Sequence, residues 1–405
     1  MMYRSERISE TFDLNTVCRS DGFLFVQDGI GIAARQGHTL IQERDALSYL
    51  ADLDCYHTES DASLGPILFG LVPFLPTESA TFFLPHFMIR KHVDGFSSAT
   101  MIGDTDTDLT DELFFAALQN AIAPYPPVIT SNTFTVEPGV SIDHYLQAVT
   151  SARDAVRDEI IQKAVIARDI KITAKNAIDI HSVLLRLKQS FGSSYRYCVG
   201  GIIGASPELL VDVHDRSISS HPLAGTAPRT GDPVSDEIAA QTLLASAKDQ
   251  TEHRVVIDMV HDTLLPYCSY LDWEPEPSIV TVANVQHLGT RIEGALSDPP
   301  AHVFDLVRLL CPTPALGGYP AEAAISLIQE VEGFTRGNYG GAVGYFDANG
   351  NGTFAVTIRC AEFSADRKTA RLFAGGGIVA ASEPLLELAE TQAKFQAMLS
   401  AIVRP

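Results

Sequence analysis

Cysteine is scarce and unpatterned in this chain. Six occur in 405 residues: Cys18, Cys55, Cys198, Cys268, Cys311 and Cys360. None forms a CxxC pair and no spacing suggests a zinc site. With no secretory signal at the N-terminus, reduced thiols in a cytoplasmic setting are expected. No apolar run approaches the roughly 20 residues that a membrane-spanning helix needs, and neither a tandem repeat nor a low-complexity tract is present. Positive charge is also in short supply: 29 Lys and Arg stand against 50 Asp and Glu, a formal net charge of -21. So acidic a chain argues against nucleic acid or an anionic membrane as partner. An anionic ligand would have to be met by a few cations gathered locally.

What the chain does have is apolar bulk. Hydrophobic residues make up 46% and charged residues 20%, which suits a large buried core and does not suit disorder. Residues 1–139 read as mixed strands, turns and short helices. Gly29, Gly31 and Ala34 fit a GxGxxA spacing, but no long amphipathic helix follows, so a β-hairpin around Asp28-Gly29 is the expectation. A loop rich in Pro, Ser and Thr is expected over 123–138. From 140 to 405 the pattern sharpens: a helix over 141–161, a strand at KAVIARDIKI, a helix over 179–190, and strands at YRYCVGGIIG and ELLVDV. Ser235 is the expected N-cap of a helix reaching to Pro266 with a bend. Strands follow near 279–294, 341–348, 352–363 and 369–374, and a last helix runs from Pro384 to about 402. The turn DANGNG favours antiparallel hairpins, so the class expected is α+β rather than a doubly wound parallel sheet.

Several polar residues stand in apolar surroundings, and each has a plain reading beside a chemical one. Lys163, opening KAVIAR, is either a strand-end lysine reaching water or a buried lysine able to act as a base. Glu208, in GASPELLV, is either a solvated glutamate or a buried acid kept protonated. Glu252 tops the helical stripe Val255, Val256 and Met259, and so asks for a cation: Lys248 at i−4, or a metal. Glu387, Glu390 and Lys394 share a helix face, which suits a solvated salt-bridge surface or, for the carboxylates, a hard divalent ion. AGGGI (374–378) is either a tight bend or a set of backbone N–H groups facing a carboxylate. Arg359, in FAVTIRCAEF, is a structural ion pair or an anchor for a carboxylate. His287 reads first as a hydrogen-bonded core histidine.

Taken in order, KAVIAR, GASPELL, HPLAGTAPR, KDQTEH, VQHLGT, CPTPALGGYP, YGGAVGY, FAVTIRCA, LFAGGGIV and LAETQAK resemble the successive motifs of the chorismate-utilising enzymes. The resemblance covers about residues 140–400. It implies a single large α+β unit, residues 1–139 included, with two antiparallel sheets packed face to face, helices outside and the site in a cleft. It implies Lys163 as the water-activating base, Glu208 as the acid, Glu252 and Glu390 as magnesium ligands, and Asp249 and Glu387 as residues supporting the metal. Gly225, Thr226, Tyr339, Arg359, Gly375 and Lys394 match positions that contact chorismate, and His287 is a further possible contact.

Within that family, members that use ammonia generally lack the lysine of KAVIAR, which this chain has. They and the salicylate synthases usually carry Pro-Lys after the glycine motif, whereas here the pair is Pro320-Ala321, as in isochorismate synthases. The resemblance therefore implies a magnesium-dependent isochorismate synthase without a glutaminase partner; with no coiled coil or long apolar surface stripe, a monomer is expected. Menaquinone, a catechol siderophore or salicylate would be the end of its pathway. A salicylate synthase, an ammonia-using synthase and a non-catalytic chorismate-binding protein are the alternatives. Cys311 (for a more usual His) and Gln250 (for a frequent Arg) depart from the family pattern and bear on local packing.

Overall fold

A computed structural model describes residues 1–56, 64–126, 131–282 and 285–404. Residues 127–130 of the expected Pro-rich loop and 283–284 of the expected strand near 279–294 lie outside them. The chain is α+β: among the described residues twenty strands join in one hydrogen-bonded sheet, a second sheet has three strands, and all pairings are antiparallel except Met2–Ile8 with Asp54–Cys55. Among the described residues no helix is long and apolar enough to cross a membrane.

Residues from the first third interleave with later ones. Phe23–Gln27 pairs with Tyr195–Val199, and Ile67–Val72 with Ala342–Asp347. The two expected sheets are facing halves of a single ladder that runs through the strand Thr81–Lys91. From Phe23–Gln27 the ladder passes through Ile30–Gln42, Thr81–Lys91 and Ile67–Val72 to Ala342–Asp347. Yet the rings of Phe25 and Tyr345, from the two ends of that path, are only 5.6 Å apart, so the sheet has curled back over a core. Alternation along each strand feeds two cores at once. Phe23 and Phe25 enter the inner one, and Leu24 and Val26 enter the outer one beneath helices Ile180–Ser190 and Pro384–Val403.

Local chemistry explains most boundaries. The hairpin at Asp28-Gly29 is present, with φ of 49° and 84°, the left-handed pair that a two-residue turn demands. The helix expected over 141–161 is Ile142–Arg157, capped by the Ser141 side chain. The Pro-rich segment ends earlier than expected, because Phe134–Pro138 pairs with Ile170–Ala174 as a strand. Ser235 is not a cap. Asp232 takes that place, accepting from the Ser235 N–H, with Pro233 in the first turn, where proline's missing N–H costs nothing. The expected bend is a break at Ser246, which ends helix Pro233–Ala245 and caps helix Ala247–Leu264. Gln250 steadies the break by donating to the Leu244 carbonyl at 2.9 Å.

Candidate active site

The site lies where the strand Lys163–Ala174, the strand Thr369–Ile378 and the helices Ala247–Leu264 and Pro384–Val403 meet. A cavity of about 240 Å³ opens there. Lys163, Glu208, Gly225, Thr226, Asp249, Glu252, His287, Tyr339, Arg359, Gly375, Glu387, Glu390 and Lys394 all line it. Every site residue named from the sequence is thus on one wall or another of a single cavity.

Burial overturns the plain readings. Lys163 is 4% exposed, and its Nζ is 2.7 Å from Glu252 Oε1. Glu252 therefore pairs across the cavity rather than with Lys248 alone. Burial works to raise the Glu252 carboxyl, but the charge and hydrogen bond of Lys163 bring it below the ordinary value. Glu208 sits between the strands Ile202–Ser206 and Leu209–His214, 3% exposed, with the Leu223 N–H reaching Oε1 at 3.4 Å. Burial pushes its carboxyl up to about 7, against the pull of that N–H, Lys163 and Arg359.

On the last helix, Lys394 is not a solvated lysine. Its Nζ is 2.6 Å from Glu390 Oε1 and donates to the Gly375 carbonyl at 2.7 Å. Glu387, also buried, is raised to about 7 by burial and then by the charge of Glu390.

The bend expected as one reading of the glycines is absent. Gly375, Gly376 and Gly377 form no bend and do not use left-handed φ: they continue the strand, opposite Ala167, Ile166 and Val165. What they supply is room. A Cβ on Gly376 would lie 2.8 Å from Glu387 Oε2, and one on Gly377 would lie 2.7 Å from Glu252 Oε1 and 2.9 Å from Lys163 Cε.

Arg359 also departs from the expected strand. FAVTIRCAEF divides into Gly352–Val356 and Cys360–Phe363, and Arg359 occupies the break with φ 51°. A non-glycine residue held there costs on the order of 1–3 kcal/mol, a strain characteristic of functional positions. Its guanidinium donates to His287 Nε2 at 3.0 Å. His287 Nδ1 is 2.9 Å from the Gly225 carbonyl, which fixes the proton on Nδ1 and leaves Nε2 to accept. Burial first, then Arg359 and Lys394, lower His287 to about 3, so the ring is neutral. Gly225 itself needs its φ of +71° to present that carbonyl.

Val165, Pro207, Leu223, Ala224, Lys248, Ala315, Leu316, Ile358 and Gly377 line the cavity as well. Most are apolar and carry no chemical signature that a single sequence could reveal. Cys311, Gln250, Pro320 and Ala321 do not line it. Pro320 precedes helix Ala321–Val331 at its cap position, and Cys311 is buried with Sγ 3.9 Å from the Pro73 carbonyl.

The donor chemistry suits a hard divalent cation. Asp249, Glu252, Glu387 and Glu390 bring only carboxylate oxygens to the cavity, and Glu387 is raised partly because Glu390 repels its charge. As the side chains stand, Glu252 and Glu390 are held by Lys163 and Lys394. Among the described residues no three such donors are grouped as an ion would require. The lysines meet these glutamates through Oε1, so a cation held there would compete with Lys163 and Lys394 for the carboxylates.

An α+β shell around a buried cavity that offers lysine, arginine and carboxylates together is the architecture of an enzyme for a small anionic molecule. The model of the family described as "Chorismate binding enzyme" matches residues 34–403, and the chain belongs to that family. It is 38% identical over 282 residues to the isochorismate synthase DhbC of Bacillus subtilis, covering 67% of this chain and 70% of that protein. It is 42% identical over 245 residues to the isochorismate synthase EntC of Escherichia coli, covering 59% and 62%. The solved structure of MenF, the menaquinone-specific isochorismate synthase of Escherichia coli, has the same fold: TM-score 0.81 at 22% identity over 98% of this chain and 94% of that one.

Proposed function

We propose that this chain is an isochorismate synthase, an isomerase that moves the ring hydroxyl of chorismate from carbon 4 to carbon 2. One observation carries the reading. A lysine and a carboxylic acid raised to about 7 line the same cavity, Lys163 acting electrostatically on Glu208. A proton acceptor and a proton donor are what exchange of one hydroxyl for another requires.

Lys163, neutral, takes a proton from a water held against one face of the ring, and the water oxygen bonds to carbon 2. Both ring double bonds shift, carbon 1–carbon 2 to carbon 6–carbon 1 and carbon 5–carbon 6 to carbon 4–carbon 5, and the bond from carbon 4 to its hydroxyl breaks. Glu208, protonated, gives its proton to that departing oxygen, which leaves as water. Arg359, aimed by His287, and Lys394 receive substrate carboxylate. Glu252 and Glu390, with Asp249 and Glu387 beside them, would hold magnesium, which when bound draws electron density from the ring carboxylate. Magnesium held by Glu252 would compete with Lys163 for that carboxylate, and a buried ammonium is costly without its partner.

Incubating the purified protein with chorismate and magnesium tests the reading: isochorismate is expected to accumulate. Accumulation of salicylate would replace the proposal with a synthase that also eliminates pyruvate. Gly377→Ala tests the geometry. Ordinary strand φ tolerates alanine, so the melting temperature should change little, while the new Cβ must displace Glu252 or Lys163. Turnover is expected to fall about 100-fold, the scale of a 1 Å misplacement. An active variant would show that this wall need not be so close.

A further inference from the structure

The strand Lys163–Ala174 is paired along its whole length on one edge, from Thr369↔Thr173 to Ile378↔Ala164. Its other edge is not. Gly318-Tyr319 pairs with Ala164 and Lys163, and Phe134–Pro138 pairs from Ile170 onward. Between those two patches no strand covers Val165–Asp169 among the described residues. Buried backbone groups on such an edge still need partners.

The Val165 N–H donates to the Gly317 carbonyl and the Asp169 carbonyl accepts from the Gly139 N–H, both at 2.9 Å; two side chains supply the partners between them. The Ala167 N–H donates to Glu332 Oε1 at 2.7 Å, and the Val165 carbonyl accepts from Arg336 Nη2 at 2.7 Å. Arg336 Nε donates to Glu332 Oε2 at 2.9 Å, and a second, short contact joins Arg336 Nη2 to Glu332 Oε1. Arg336 Nη1 donates to the Leu316 carbonyl at 2.8 Å. Its carbonyl accepts from the Tyr339 N–H at 3.1 Å, and its guanidinium lies over the Phe74 ring at 4.2 Å. Both charged side chains are almost wholly enclosed, 1% and 2% exposed. A fork of this kind, bidentate and fully bonded, fixes geometry in a way a lysine cannot.

The groups so gripped belong to the cavity. Val165, Leu316 and Tyr339 line it, and Val165 is two residues from Lys163. We propose that the buried Glu332–Arg336 pair is the positioning element of the active site: it stands in for a missing strand and holds the Lys163 strand, the Leu316 loop and Tyr339 in one relative placement. Neither residue lines the cavity, so both act through others. The proposal rests on the isochorismate synthase reading for its kinetic consequence, but its structural consequence is independent.

Arg336→Lys keeps the charge and removes the fork. Amide hydrogen exchange is expected to accelerate in peptides spanning 163–168 and 313–318, with remote strands unchanged. In the same preparation kcat for isochorismate formation should fall by roughly tenfold or more, with KM for chorismate nearly unchanged, because the displaced group acts in the transition state. Unaltered exchange in those peptides, or unaltered kcat, would overturn the proposal. If wild type makes no isochorismate while the exchange change is present, the proposed reaction falls and the brace stands. Should Arg336→Lys fail to fold, Glu332→Gln is the second variant. It keeps an acceptor for the Ala167 N–H but weakens the charged fork to Arg336, so a smaller exchange change in the same peptides and a smaller loss of kcat are expected, and their absence overturns the proposal equally.

Discussion

Lys163→Ala is expected to lower turnover of chorismate by about 100- to 10,000-fold, the range that a positioned base contributes. The lysine heads a strand anchored on both sides, to Gly318-Tyr319 and to Thr369–Ile378, so removing its side chain leaves the backbone where it was. What it does disturb is Glu252, whose partner at 2.7 Å disappears. Breaking a fully buried pair costs about 3–5 kcal/mol. Here the carboxylate faces a cavity and can be hydrated or protonated, so the melting temperature should fall by less than that figure implies. A second outcome separates base from mere structure. In wild type a cation would compete with Lys163 for the Glu252 carboxylate; in the variant that competition is gone. Added magnesium should therefore raise the melting temperature of Lys163→Ala more than that of wild type at matched ionic strength. Retained turnover would remove Lys163 from the mechanism, and equal magnesium responses would remove Glu252 from the metal site.

The sequence made the class and most elements legible because they rest on local signals. The Asp28-Gly29 turn, the alternating apolar strands and the Ser141 cap are decided within a few residues. The site residues were legible in a different way. Alone, Lys163, Glu387 and Lys394 look like surface charge, and only their order among the other motifs pointed elsewhere. Burial is a property of what folds over a residue: Lys163 is covered from residues 252 and 377, far along the chain. The misreadings have the same origin. Three successive glycines suggest a bend, and nothing local says that their missing Cβ atoms make room for Glu252 and Glu387. Arg359 lies in an apolar run that reads as one strand, and nothing local announces the break at which its guanidinium meets His287, 72 residues away. Glu332 and Arg336 carried no signal in the sequence, since Ala167, whose N–H Glu332 accepts, lies 165 residues earlier.

Glu208→Gln should separate activity from stability. The acid form of Glu208 is the working form, and with its carboxyl at about 7 that form is present below neutrality and depleted above it. In wild type kcat/KM should consequently fall by about tenfold per pH unit on the alkaline side of 7. Glutamine cannot donate the proton, so the variant should lose about 100- to 10,000-fold in turnover, and this limb with it. Glu387 is also raised to about 7, which makes Glu387→Gln the necessary control: if Glu208 is the origin, that variant keeps the alkaline limb. Stability should move the opposite way. A carboxyl raised in the folded state from 4.5 to about 7 keeps a proton that the unfolded chain gives up. Between those values the folded state binds more protons, so stability falls as pH rises, by on the order of 3 kcal/mol, and stays at the lower level above 7. Glutamine has no proton to lose and escapes this penalty. At pH 8, with melting followed by circular dichroism, Glu208→Gln should be more stable than wild type, and at pH 5 the advantage should vanish. An inactive variant without that alkaline stabilisation would mean that Glu208 is ionised in the resting enzyme, and the acid would have to be sought elsewhere in the cavity.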